Sequence, residues 1–259
     1  MGIGAPLRLH EMTRVEVNAI TPRAIALLPT GATEQHGPHM PTGTDTFAVK
    51  HIARGAAALV SAAAPVVVTP TLPFGSSGHH LAFGGTMSVS TETYYRLVSD
   101  LVESLIISGF KRVFILNGHG GNNELVQLVA RDLALKFPVS IAASSYWVTA
   151  WDAFVDGKAH ELGNLPGHAG AFETSLVLAL QPHLVREPRP HRGDAGPGNP
   201  RSFYPPVRVE RHGSWQEIDG YSDSPDRAAA EHGRRFLEIA TAEVATALRR
   251  FYDITGGSD

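Results

Sequence analysis

Short apolar runs alternate along the chain with longer stretches in which apolar residues recur every three or four positions. Residues 24–28, 66–68, 112–116 and 139–143 are the short runs. Their β-branched content and their length predict strands, and the first is apolar throughout, as a strand buried on both faces would be. The longer stretches predict helices. One covers about 44–61 and carries Phe47, Val49, Ile52 and Leu59. A second begins at Ser90 or Thr91, carries Tyr94, Leu97, Val98, Leu101, Leu105 and Ile106, and stops at Gly109. Asn122 or Asn123 opens a third, with Leu125, Leu128, Val129 and Leu133 inward. Two more are expected at about 171–180 and 225–251. Residues 147–154 fit neither period. Strand–helix alternation of this kind specifies an α/β class with a mainly parallel central sheet.

The spacing breaks down at about 181–226, which holds eight of the 18 prolines. Phe203, Tyr204 and Trp215 in this stretch require burial, so we read it as an irregular excursion of a single domain spanning 1–259, not as a linker. Loops this long generally serve a binding or assembly surface.

Composition narrows the function. The chain has 259 residues, 43% hydrophobic and 18% charged, enough apolar content for a core. A net charge of −3 argues against nucleic acid or an anionic membrane as partner. No run reaches the roughly 18 apolar residues of a membrane span. The N-terminal residues lack the cationic lead of a signal peptide, so a cytoplasmic location is expected. There is no cysteine, which removes thiolate chemistry and leaves any metal to histidine and carboxylate ligands. Histidine is abundant, at 13 residues.

Three motifs carry chemistry, each expected at a strand end or helix start, where open α/β sheets build their sites. Glu34-Gln35-His36 and Asp45 follow the first strand. His119 stands in the glycine-rich turn 117–122 after the third, which lacks the spacing of a phosphate-binding loop. His168 and Glu173 enter the helix at 171. Each alone has an ordinary reading, since Asp45 and Glu173 sit where helix dipoles favour acids. Their coincidence points instead to two divalent ions, zinc or manganese with iron a further option.

With those residues in view, the sequence resembles the creatininase (creatinine amidohydrolase) family. The likeness runs through L-P-T-G-A-T-E-Q-H-G-P-H-M-P-T-G-T-D at 28–45, F-G-S-S-G-H-H at 74–80, N-G-H-G-G-N at 117–122 and H-A-G-A-F-E-T-S at 168–175. The resemblance implies a three-layer α/β/α fold, a dinuclear metal centre that hydrolyses C–N bonds of amides or cyclic amides, and a homo-oligomer, commonly a hexamer. By position, Glu34 and His119 would hold one ion, His36 the other, Asp45 would bridge, and His168 would be the catalytic histidine. Two departures speak against creatinine as substrate. Members acting on creatinine carry a ligating Glu where Gly121 stands here, and Glu173 is our candidate to replace it. They also carry a tryptophan shortly before the catalytic histidine, where Asn164-Leu165-Pro166 stands here. Trp147 or Trp151 is the candidate cover, and Ser77, His79 and His80 are candidate substrate contacts.

The expected chemistry is hydrolysis of a small-molecule amide. Two ions lower the pKa of a water from roughly 15.7 towards neutrality, making hydroxide available as nucleophile, and His168 protonates the leaving amine. A metal-dependent peptidase acting on a modified peptide is the alternative within enzymes. A non-catalytic, metal-dependent binding or assembly module is the alternative outside them.

Overall fold

The computed structural model describes residues 7–193 and 211–256. Its strands are β1 (Leu7–Arg8), β2 (Ile25–Thr30), β3 (Val66–Val68), β4 (Arg112–Asn117) and β5 (Ser140–Ser145). They form one parallel sheet in the order β1-β3-β2-β4-β5. The central pair is in register from Ile25 opposite Arg112 to Thr30 opposite Asn117. The chain leaves β2 towards one edge and returns to its other side as β4, so the C-terminal ends of β2 and β4 flank a topological switch point.

Helices cover both faces. They are α1 (Arg14–Ile20), α2 (Thr44–Val60), α3 (Thr91–Ile107), α4 (Asn123–Lys136), α5 (Tyr146–Thr149), α6 (Trp151–Asp156), α7 (Ala171–Leu180), α8 (Ser214–Glu217) and α9 (Ala230–Ile254). Alternation along each strand divides the core in two. Ile25, Leu27, Phe114 and Leu116 pack with α2, α7 and α9, whereas Ala26, Leu28, Val113 and Ile115 pack with α3 and α4. This is the expected three-layer α/β/α arrangement. Each fully buried Leu, Ile, Val or Phe contributes about 1.5–3 kcal/mol relative to an exposed one.

The departures from the sequence expectation are local. Leu59 and Leu101 are exposed, and their neighbours Val60 and Val102 take the inward places. In α3 the buried stripe is Tyr94, Val98, Val102 and Leu105, which continues the four-residue step past Leu101. Residues 146–156 form two short helices, and α9 begins at Ala230 because Pro225–Arg227 makes a separate 3-10 turn. The two-residue edge strand β1 was not anticipated. Phe203 and Tyr204 lie outside the described residues. Among these residues no helix is long and apolar enough to cross a membrane.

Candidate metal centre

Asparagines tie the strand ends together beneath the site. Asn117, the last residue of β4, accepts hydrogen bonds from Thr30 Oγ1 (3.2 Å) and the His119 N–H (3.1 Å). Its amide donates to the His119 carbonyl (2.6 Å) and to Ser145 Oγ (2.8 Å) at the end of β5. Asn122 donates to the Gly31 carbonyl and accepts from the Ser76 N–H. The motif at 117–122 thus fixes three strand ends and one loop, and holds His119 over the switch point.

Above this frame Glu34, His36, Asp45, His119, His168 and Glu173 converge, all buried. Asp45 stands in the first turn of α2 with one carboxylate oxygen towards each of two histidines. Its Oδ1 is 3.1 Å from His36 Nε2 and its Oδ2 3.2 Å from His119 Nδ1. Glu34 Oε1 is 3.2 Å from His119 Nδ1, and Glu173 Oε2 is 3.7 Å from His36 Nε2. Three groups here have ligand atoms close enough to share an ion: Glu34, His79 and His119; Glu34, His36 and His168; His36, Asp45 and Glu173.

The donor chemistry fits divalent cations. His36 Nδ1 lies 3.1 Å from the Glu34 carbonyl, and His119 Nε2 lies 3.2 Å from the Ser76 carbonyl. A carbonyl only accepts, so each of these nitrogens carries its ring's hydrogen. That leaves His36 Nε2 and His119 Nδ1, the atoms facing the carboxylates, as the lone-pair positions, with carbonyls behind the rings as is usual for ligating histidines. Both Glu34 oxygens and Asp45 Oδ2 are buried without a hydrogen bond. Lone pairs facing buried carboxylates are costly unless a cation lies between them.

Burial and the neighbouring charges set the ionisation of these groups. Burial would lower His36 and His119, but Asp45, Glu173 and Glu34 push His36 up to about 10, and Glu34 and Asp45 push His119 well above the usual imidazole range. Burial would likewise raise Glu34 and Asp45, and the facing histidines hold both below the usual carboxylate range. For Glu173 burial wins. With repulsion from Asp45 and Glu34, it pushes the carboxyl up to about 8 against the pull of His36 and the Ala169 N–H. His80 and His168 go the other way: burial takes His80 down to about 3 and, with His36 and His80 nearby, His168 well below its ordinary value.

The loop carrying His168 is secured by residues more than fifty positions later. Ser222 Oγ accepts the His168 N–H (2.9 Å), and the Ser222 N–H donates to the His168 carbonyl (2.8 Å). Asp223 accepts from the Ala171 N–H (2.8 Å) at the start of α7 and from the Asn164 N–H (3.2 Å). Ala169 sits at φ 51°, a left-handed conformation that costs a non-glycine residue about 1 kcal/mol, and its N–H is held by Glu173 Oε2 at 2.7 Å.

A cavity of about 750 Å³ opens over the cluster, lined by Glu34, Asp45, His79, His80, His119, Trp147, His168, Glu173 and Trp215, among others. Of the two tryptophans considered as a cover, Trp147 lines it. Trp151 packs against the hydrophobic core and is not in the lining. Ser77 is also turned inward: its fully buried hydroxyl is 3.2 Å from His119 Nε2, where it supports the ring and does not line the cavity. His79 and His80 do line it, His79 exposed and His80 buried. The sequence reading missed Trp215, whose ring lies 4.8 Å from His80 and 5.2 Å from His168. It missed Gln35 as well, whose signal was only its place between two stronger candidates.

At Gly121 the chain leaves no room for a side chain. A Cβ there would strike the Ser76 carbonyl and lie 2.6 Å from His119 Nε2. Gly121→Glu is therefore expected to lower stability by about 1–3 kcal/mol, the usual range for overpacking, and not to supply a ligand. Urea midpoints of the variant and the parent check this, and equal midpoints would show that the Ser76 loop yields easily.

A family model described as creatininase (creatinine amidohydrolase) matches residues 10–248. Mycofactocin precursor peptide peptidase from Mycobacterium tuberculosis H37Rv is 32% identical over 233 residues, covering 86% of this chain and 83% of that protein. Creatinine amidohydrolase from Pseudomonas putida is 30% identical over 246 residues, covering 89% and 91%. A crystal structure of creatininase superposes with TM-score 0.78 at 28% identity, covering 95% of this chain and 98% of that one. Similar solved structures include a zinc–zinc form of a creatininase mutant and a manganese creatininase, at TM-scores of 0.77 and 0.75. On the extent of these matches, this chain belongs to the creatininase family.

Proposed function

We propose that the protein is a dinuclear, divalent-metal amidohydrolase that cleaves the C–N bond of a small or cyclic amide. The observation that carries this is Asp45, whose two oxygens face His36 and His119 separately and so divide the donors into two sets. Glu34, His119 and Asp45 would hold one ion, and His36, Glu173 and Asp45 would hold the other. Zinc and manganese suit these nitrogen and oxygen donors, and solved family structures are described in both forms.

Bound in such a site, the ions supply acidity to water and polarise a carbonyl oxygen. The chain's own residues do the rest. His168 is neutral in its buried setting and offers Nδ1 on the cavity side, 3.7 Å from Glu34 Oε1. It takes a proton from the attacking water and returns it to the departing nitrogen, so that amide and water become acid and amine. Trp147 and Trp215 wall the cavity and limit the entry of further water.

Elemental analysis of protein purified without chelator or affinity tag tests the reading, with two ions per chain expected. Glu173→Gln is expected to lose about one of the two, and an unchanged ratio would place the second ion on other ligands. A second reading takes a peptide as substrate. It is favoured by the cavity volume, which exceeds the need of one small amide, and by relatives named as peptide peptidases. Turnover of short peptides against small amides in the same metal-loaded preparation separates the two.

A further inference from the structure

The Gln35 side chain lies within hydrogen-bond distance of more partners than it can serve. Its Nε2 is 2.9 Å from His80 Nδ1, 3.1 Å from His168 Nε2 and 2.9 Å from the Gly220 carbonyl, yet an amide NH2 has two hydrogens. The orientation of the amide is fixed, because Oε1 accepts the Gly37 N–H at 2.9 Å while Nε2 must donate to the Gly220 carbonyl. One hydrogen remains. His168 Nε2 does not need it: that atom is 3.0 Å from the Gln35 backbone carbonyl, to which it can only donate. The second hydrogen therefore goes to His80 Nδ1, which accepts.

From this count we infer that Gln35 is a positioning residue that sets the tautomers of two cavity histidines. Both rings carry their hydrogen on Nε2, and the consequence differs because the rings are turned oppositely. His80 presents an Nε2–H donor to the cavity, and His168 presents an Nδ1 lone pair. Both atoms lie 3.7 Å from the same Glu34 Oε1, and the rings stack with centroids 4.2 Å apart. His80 Nε2 is buried and has no hydrogen-bond partner, so its N–H is available to a ligand. The choice lies between two neutral forms of each ring, with no proton gained or lost. An adjacent donor and acceptor match the two sides of an amide group, the carbonyl oxygen towards His80 and the nitrogen towards His168. Only this last step rests on the amidohydrolase reading.

The test is long-range ¹H–¹⁵N spectroscopy of zinc-loaded protein carrying ¹⁵N-histidine, with the two rings assigned through single histidine variants. The parent is expected to show both rings protonated at Nε2. In Gln35→Glu, where a carboxylate faces His80, the hydrogen of His80 is expected to move to Nδ1; in Gln35→Met both forms of that ring are expected. Both variants should keep the parent's zinc content. On a substrate that is turned over, kcat should fall roughly 10- to 100-fold, the usual cost of losing such a supporting contact, with KM within about twofold. His168 protonated at Nδ1 in the parent would overturn the inference, as would an unchanged His80 in both variants. Neither spectrum depends on turnover, so a failure of the proposed activity would be seen separately.

Discussion

Asp45→Ala is expected to abolish binding of at least one ion and to lower turnover by at least ~10³-fold. The magnitude follows from what the ions supply, several kcal/mol of transition-state stabilisation, at about 1.4 kcal/mol for each tenfold in rate. Asp45 has this leverage because each of its oxygens faces a different histidine, so its loss removes a ligand from both donor sets. The loss should also appear in stability. Ions that bind only the folded chain raise its melting temperature by mass action, and the metal-dependent increment seen in the parent should shrink or vanish in the variant. Asp45→Asn keeps one oxygen and is expected to retain a single ion. Full metal content and parental turnover in Asp45→Ala would remove the bridging role altogether.

His168→Asn is expected to separate chemistry from metal binding. General acid–base catalysis by a placed histidine is worth roughly 10²–10⁴ in rate, and kcat should fall by that factor with the ion count unchanged. The control matters because His168 also belongs to a group, with Glu34 and His36, whose atoms are close enough to share an ion. Loss of an ion in His168→Asn would make His168 a ligand and leave proton transfer without an owner. A kcat within about threefold of the parent, with both ions retained, would show that protons reach the leaving nitrogen by another route.

What could be read from the sequence was local. The central strands announce themselves because both faces are buried and their inner positions, 25–28 and 113–116, are all apolar. β1 has only two residues and one neighbour, and no period can be seen in two residues. The acids and histidines of the site were legible because each follows a strand or opens a helix. Their supports were not, because Trp215, Ser222 and Asp223 act on partners that lie far away in the chain. Ser77 and Trp151 stand close to the motifs in sequence but outside the cavity lining. Residue type and proximity to a motif suggested substrate contact, but the direction of a side chain depends on packing that sequence spacing does not encode.

The anchoring of the His168 loop has a consequence for the order in which the molecule is built. Ser222 and Asp223 follow the groups they bind by 54 and 52 residues, and α9, which covers the same face, comes later still. A chain growing from its N-terminus can assemble β2 to β5 and place Glu34, His36, Asp45 and His119 while His168 still lacks the contacts that fix it. Closing a loop of that length is penalised until its long-range contacts form. On the proposed function, catalytic competence would thus be the last property this chain acquires, and a change in the length of the proline-rich segment would act on when His168 reaches its place.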